Sequence, residues 1–305
     1  MALGLAADRL FGEPRSAHPV AFFGRVMRGI ERGVDSFGWH DDKRAGLIFA
    51  VVGVGIGAST GGSIHSTAAA GWLATSGHAL GEAAQEVSRA VARDDLDAAR
   101  ALLPSLVGRD VEMLDEKGVA RAAIESVAEN TVDAIVAPAL WALAGGARGA
   151  LGYRACNTLD AMVGHRNDRY INFGWASARL DDVANWIPAR ATALLVAAAR
   201  PARARQVWHA VKTQAPLHPS PNSGVAEAAF AAALGLRLGG ELSYDGRVEL
   251  RPHLGDGRAP ESEDIPAAVR LSRDVTALLG VTLMLPGALV LVKRMRGFAA
   301  SRRNR

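Results

Sequence analysis

The chain has 305 residues, 49% hydrophobic and 22% charged, with a mean hydropathy of +0.09, a net charge of +4 and a pI of about 9.6. That length allows one or two domains with a sizeable core, and the positive mean hydropathy is high for a soluble enzyme. Aromatic residues make up only 6% and the basic residues are scattered among acids, which excludes a stacking platform for nucleic acid and leaves anionic lipid headgroups or phosphorylated substrates to meet the excess positive charge.

Met1 to Ala7 is too short for a signal-peptide core and runs straight into Asp8 and Arg9, so no cleaved leader is expected. Asp8 to Pro14 and Ser16 to Val20 are dense in Gly, Pro and His-Pro and read as a loop able to present Asp8, Arg9 and His18. Arg25, Arg28, Arg32, Lys43 and Arg44 follow, and from Ala45 to Gly81 there is no Asp, Glu, Lys or Arg. The apolar centre of that run, Leu47 to Gly57, is long enough with its flanks to span a bilayer, with its basic N-terminal end cytoplasmic. The spacing of Gly53 and Gly57 suits close helix packing. Glu82 to about Ile124 reads as soluble helices, one starting near Asp94-Asp95, and Val107-Gly108-Arg109-Asp110 reads as a turn.

Glu125, Glu129 and Asp133 recur at i, i+4 and i+8, one broad face of a helix. Ala134 to Ala147 is uncharged and interrupted by Pro138, which suggests a broken or re-entrant segment. The lone cysteine, Cys156, forms no intrachain disulfide and reads as a small buried residue. Asp181, Asp182 and Asn185 share a second helix face with the donor types of a hard-cation site. Stacked carboxylates repel, so something positive belongs between them: Mg²⁺, or the arginines Arg154, Arg166, Arg169, Arg179 and Arg190. For any single acid the plain alternative is a solvated helix face. The group, alternating with Asn130, Asn157 and Asn185 beside apolar sequence, favours function.

Trp186 to Ala199 is apolar apart from Arg190, and its Trp and Arg suit a headgroup boundary. Gln214 to Gly224 contains three prolines and reads as a loop. Ser220, Asn222 and Ser223 then stand before the Ala-rich helix Val225 to Leu236, either as caps or as a phosphate-binding helix start, with His218 as a cation or acid beside them. Leu238-Gly239-Gly240 reads as the close of that helix, Tyr244 to Arg247 as a turn and Arg251 to Gly255 as a polar loop. Val275 to Val292 is uncharged, interrupted by Pro286 and followed by Lys293, Arg294 and Arg296, a second span with a cytoplasmic exit. The expected fold is therefore all-α: a single multi-pass integral membrane domain over 1–305, with polar cytoplasmic helices and loops.

Asp8 to Pro14, His18-Pro19, Gly108-Arg109-Asp110, Glu125-Ser126 with Glu129-Asn130 and Asp133, Asn157-Thr158-Leu159-Asp160, Asp181-Asp182 with Asn185 and Pro188-Ala189-Arg190, and His218 to Asn222 together resemble the CobD/CbiB family, the adenosylcobinamide-phosphate synthases. The resemblance implies a multi-pass inner-membrane protein of cobalamin biosynthesis. It implies that a propionate carboxylate of adenosylcobyric acid is joined in amide linkage to aminopropanol or its phosphate, with ATP and Mg²⁺ consumed, and that other cobalamin-pathway enzymes are possible partners. A carboxylate is a poor acyl donor, so ATP would activate it, and phosphoryl transfer calls for Mg²⁺ on carboxylates and cations on phosphate oxygens. On that reading Glu125, Glu129, Asp133, Asp181 and Asp182 are catalytic and hold Mg²⁺, and Asn130, Asn157, Asp160 and Asn185 orient ligands. Arg109, Arg154, Arg179 and Arg190 meet phosphates, His218, Ser220, Asn222 and Ser223 form an anion loop, and His18 deprotonates the amine. No Walker-type loop is present. The rival readings are a Mg²⁺-dependent intramembrane prenyltransferase and a non-catalytic membrane sensor or assembly protein.

Overall fold

The computed structural model describes residues 1–13, 19–165, 167–244 and 247–303, with side chains at all of these except 244, 247 and those beyond 284. His18 and Arg166 lie outside the described residues. The chain is mostly helical: α1 (Ala2–Phe11), α2 (Pro19–Ser36), α3 (Lys43–Ser63), α4 (Thr67–Ala74), α5 (Gly77–Val91), α6 (Leu96–Leu102), α7 (Glu116–Thr131), a π-helical turn (Val132–Val136), α8 (Ala137–Val163), α9 (Trp175–Ala199), α10 (Ala204–Thr213), α11 (Ser223–Leu234) and α12 (Asp264–Arg303). Two helical stretches, Lys43–Ser63 and Glu116–Val163, are long and apolar enough to cross a membrane.

The structure corrects the all-α expectation at one place. Leu238–Tyr244 (β1) and Arg247–Leu254 (β2) pair antiparallel, Glu241 opposite Leu250 and Ser243 opposite Val248. The helix before them closes at Gly235, left-handed at φ 71°, and Gly239 and Gly240 instead make a bulge in β1. The alternation Glu241-Leu242-Ser243 and Val248-Glu249-Leu250-Arg251 around Asp245-Gly246 is the strand pattern that a helix-first reading passes over. Asp245 and Gly246 themselves lie outside the described residues. A second correction concerns the first loop: Asp8 to Phe11 complete α1, and Pro19 opens α2, where its missing N–H costs nothing.

α7 is the central helix. Eleven of its sixteen residues are buried, against α5, α11 and α12, so Glu125 is an interior carboxylate that needs a partner. α3 crosses α8 along Gly53, Gly57 and Gly61: a Cβ at Gly57 would strike Ala155 and the Leu151 carbonyl. Beyond α3, Ser66 caps α4, its Oγ accepting from Ala69 N–H at 3.2 Å, and α4 folds back on α8 and α1. The uncharged run from Ala45 to Gly81 thus covers most of α3, all of α4 and the start of α5.

Two helix-interior prolines are accommodated in the same way. Pro138 removes the N–H that would reach the Ala134 carbonyl, and Ser76 N–H donates to that carbonyl instead, at 3.0 Å. Pro188 likewise frees the Ala184 carbonyl, which accepts from the Trp141 indole N–H at 3.1 Å. The helix therefore runs on through Pro138, and the expected break falls later, at Gly146, whose φ 61° and ψ −144° kink α8. In the expected C-terminal span, Val275 and Leu279 are buried in the core, and the side chains beyond 284 lie outside the description.

Candidate functional site

A cleft of about 510 Å³ opens between the C-terminal end of α7, the π turn, the end of α8, the first half of α9 and the loop before α11, with Glu249 and Arg251 of β2 on its wall. On one side stand the aspartates. Asn157 Nδ2 donates to Asp133 Oδ2 at 3.2 Å and to Asp181 Oδ1 at 3.3 Å, tying the π turn to α9 through α8. Asn185 Nδ2 donates to Asp181 Oδ2 at 2.9 Å, and the buried Tyr153 hydroxyl donates to Asn185 Oδ1 at 2.8 Å, which fixes the amide's orientation. Asp160 folds back over Gly164, where any Cβ would collide with its carboxylate. Asp182 lines the cleft beside the exposed Arg179, 3.8 Å away. Burial, then the neighbouring Asp160, pushes the Asp181 carboxyl up to about 7.

On the other side stand the glutamates. Glu125 is ion-paired with Arg109, both side chains buried, and also accepts from Gly239 N–H at 2.8 Å. Glu129 lines the cleft and faces Ser223 and the buried Glu227 of α11. Burial, then the charges of Glu129 and Glu125, raises the Glu227 carboxyl well above the usual range. His218 Nε2 is 3.5 Å from Glu227, and its Nδ1 accepts from Ser220 N–H at 3.1 Å. The same Nδ1 is 3.2 Å from the Ser220 carbonyl oxygen, and burial holds the imidazole pKa below its ordinary value.

The loop before α11 is engaged internally. Ser220 Oγ accepts from Ser223 N–H at 3.1 Å and Asn222 N–H at 3.3 Å, which is capping. Asn222 donates to the Asp182 carbonyl at 2.8 Å and accepts from Arg190 at 3.0 Å, and Arg190 lies over the Trp186 ring at 4.6 Å. Gly224 is required beneath His218, whose Cβ a side chain there would strike. Arg154, Asn130 and the buried Glu125–Arg109 pair, all expected at the site, do not line the cleft. Arg154 donates to Ser76 Oγ at 2.9 Å, and Asn130 donates to the Ser126 carbonyl at 3.0 Å.

Two residues of the cleft wall, Glu249 and Arg251, and two that contact its residues from behind, Tyr153 and Glu227, escaped the sequence reading. Glu227 carried a signal, as the one charged residue in the apolar run Val225 to Leu236. Glu249 and Arg251 were hidden with the hairpin. Arg121 of α7 holds that hairpin in place, donating to the Gly239 carbonyl at 2.8 Å and the Glu241 carbonyl at 2.6 Å.

Of the described residues lining the cleft, six are acidic (Glu129, Asp133, Asp160, Asp181, Asp182 and Glu249) and one, Arg251, is a permanent cation. Among the described residues no three His, Cys, Asp or Glu side chains converge as a closed metal cage. The five acids expected as one ligand set divide instead into an aspartate group and a glutamate group, with Glu125 committed to Arg109. The aspartate group fits Mg²⁺, which keeps several waters and takes one or two carboxylates together with substrate phosphates.

Comparison with known proteins is consistent along the chain. The family described as CobD/Cbib protein matches residues 1–272. A "Cobalamin biosynthesis protein CobD" of Mycobacterium tuberculosis is 45% identical, over 96% of this chain and 95% of the relative. Proteins of the same name from Stutzerimonas stutzeri and Rhodobacter capsulatus are 42% and 38% identical, over 92% and 93% of this chain and 93% and 95% of theirs. No solved structure matches.

Proposed function

Because the chain belongs to the CobD/CbiB family of cobalamin biosynthesis, we propose that its acidic cleft is the active site of an ATP- and Mg²⁺-dependent amide ligase. The acid is adenosylcobyric acid, reacting through a corrin propionate carboxylate, and the amine is (R)-1-amino-2-propanol or its O-phosphate. The observation that carries this reading is the excess of six carboxylates over one arginine around a cleft of about 510 Å³. Such a field repels a bare nucleotide and attracts one that arrives with its cation, and it attracts an ammonium.

Atoms balance as follows. The propionate oxygen attacks the γ-phosphorus of ATP, ADP leaves, the amine attacks the acyl carbon, and phosphate departs with the original carboxylate oxygen. Asp133, Asp160, Asp181 and Asp182 would hold Mg²⁺, which would neutralise phosphate charge there. Asn157 and Asn185 keep Asp133 and Asp181 aimed and separated. Glu129, at the cleft wall, accepts a proton from the incoming ammonium, with Glu227 and His218 behind it. Arg251 meets an anionic group of the substrate. On this reading the enzyme works at the inner membrane with other cobalamin-pathway enzymes as partners, a location that two apolar helices support.

Purified protein in detergent, given Mg²⁺, ATP, adenosylcobyric acid and either amine, should release ADP in step with a corrin mass gain equal to the condensed amine. Asp133→Asn and Asp182→Asn should each slow this about 10²-fold or more, the scale of losing one electrostatic partner of a transition state. ADP release without the mass gain, or full activity in both variants, would overturn the assignment.

A further inference from the structure

Arg121, Glu125 and Glu129 recur at i, i+4 and i+8 along one face of α7. Glu129 lines the acidic cleft, whereas the two residues that precede it on this face grip the β1–β2 hairpin. Arg121 spreads its two terminal nitrogens over the Gly239 and Glu241 carbonyls, at 2.8 and 2.6 Å, and Glu125 accepts from Gly239 N–H at 2.8 Å. Both backbone groups of Gly239 are therefore held by one helix. The bulge in β1 makes this possible, because it turns two carbonyls toward a single guanidinium. Gly239 and Gly240 take φ of 79° and 95°, and a Cβ on Gly240 would come within 3.0 Å of the Arg121 guanidinium.

The turn before α7 ties down the far end of β1. Asp110 N–H donates to the Ser243 carbonyl at 2.9 Å, and Ser243 Oγ donates to Asp110 Oδ2 at 2.6 Å. Its neighbour Arg109 is the ion-pair partner of Glu125, and Gly108 lines the cleft. What these contacts place is the opposite strand. Gly240 pairs with Arg251 and Leu242 with Glu249, so the buried Leu242 shares one face with the two cleft residues, while the exposed Val248 and Leu250 share the other. A slip of one residue would point Val248 and Leu250 at the cleft instead. Glu249 accepts from Arg251 at 2.9 Å. After burial, the charge of Arg251 also helps to hold the His218 imidazole pKa down, which puts Arg251 on the glutamate side of the cleft.

We propose that Arg121 and Asp110 are positioning residues of the cleft: they fix the register of the hairpin, and through it the place of Arg251. The inference rests on the ligase reading of the cleft and adds to it the parts that build one wall. Neither side chain is among the described residues that line the cleft, so each acts through β2 and not on substrate. A loosened hairpin misplaces the cation that meets the substrate's anionic group. It leaves the aspartate side, where a Mg²⁺-bound nucleotide belongs, as it was.

The full chain, purified in detergent, is assayed for ligation as Arg251→Met, Arg121→Gln, Gly240→Ala and the double variant Arg121→Gln with Arg251→Met. Arg251→Met should raise the KM of one organic substrate at least tenfold. Arg121→Gln and Gly240→Ala should raise the KM of that same substrate at least fivefold and leave the KM for ATP within twofold. Arg121→Lys, a shorter fork with one reach, should fall between Arg121→Gln and wild type. The double variant should stay within twofold of Arg251→Met, because nothing is left to misplace. A second readout needs no turnover. A nitroxide on Leu250→Cys, on the outer face of the hairpin and with the native Cys156 buried, should gain mobility in Arg121→Gln and Asp110→Ala while the far-ultraviolet spectrum is kept. Effects that multiply in the double variant, a loss confined to kcat, or label mobility indifferent to both substitutions would each overturn the proposal. A wild-type chain without turnover sinks the ligase reading instead, and the label then decides whether Arg121 and Asp110 hold the wall.

Discussion

Asp181 shows how strongly the cleft opposes its own ionisation. Its carboxyl, raised to about 7 by burial and by Asp160, is favoured in the neutral form by the fold, while the unfolded chain ionises near the ordinary value of 3.8. The stabilisation from the neutral acid is fully present below about pH 4 and is lost as pH rises through about 7. Asp181→Asn removes that dependence. Its stability relative to wild type should therefore climb between pH 4 and 7, by up to ~1.4 kcal/mol per pH unit, in thermal melts without divalent cation. Mg²⁺ should then stabilise wild type at pH 8 and have little effect at pH 5, and a flat difference across pH would contradict the ligand role. Glu125 makes the contrasting case, an interior carboxylate with its charge already matched. Removing one member of its pair with Arg109 leaves the other buried and alone, so Glu125→Gln or Arg109→Met should each destabilise by about 3–5 kcal/mol, read as a lowered melting temperature. Sequence spacing alone put Glu125, Glu129 and Asp133 on one face and Asp181 with Asn185 on another. It could not show that Arg109 had already claimed Glu125, because that pairing joins a loop to the central helix, nor that Glu227 would meet Glu129 from a helix about a hundred residues further along.

Among the elements, α8 shows which irregularities the chain tolerates. Pro138 is the obvious breaker, yet the π turn before it and Ser76 N–H on the Ala134 carbonyl absorb the lost hydrogen bond. Gly146 is the actual kink, in a region of backbone space that side chains rarely enter, while its neighbour Gly145 is helical and faces open space. Gly146→Ala should destabilise by about 1–3 kcal/mol, and Gly145→Ala should be neutral or stabilise by up to about 1 kcal/mol. Equal melting temperatures for the pair would show that the kink is not confined to Gly146. Two adjacent glycines carry no mark of which one turns, so this detail lay beyond reading. The hairpin differs, because its alternation and Asp-Gly turn were present in the sequence and were overridden by the helical character of everything around them. Capping was legible: Asp95 does accept from Ala98 N–H at 3.0 Å at the start of α6, where acidic residues gather before a short helix.

For the whole molecule, an acidic cleft stands beside helices with exposed apolar faces. α3 leaves Leu47, Ile48, Val51 and Val52 exposed, and α9 leaves Val183, Ile187 and Leu194 exposed with Trp186 between them. The two helices contact each other and both pack on α8, so these side chains form apolar faces on neighbouring elements rather than scattered single residues. The stretch Glu116–Val163 is different, since it carries Glu125, Glu129, Asp133 and Asp160 and its α7 part is mostly enclosed by other helices. Its apolar character therefore serves the interior of the fold as well as any boundary. The arrangement predicts a protein held in the membrane by α3 and the outer face of α9, with the acidic cleft opening to water. Expressed with its native chain, it should stay in the pellet after sodium carbonate washing and leave it only in detergent. Val51→Asp with Val52→Asp, placed on the exposed face of α3 where no packing is lost, should release a measurable fraction to the wash, because each charge at the centre of a span costs about 2.5–3.5 kcal/mol. Glu116→Ala with Lys117→Ala, at the water-exposed start of α7, should change nothing in that assay. Complete recovery of the wild-type chain in the carbonate supernatant would place these apolar faces against a protein partner instead of lipid.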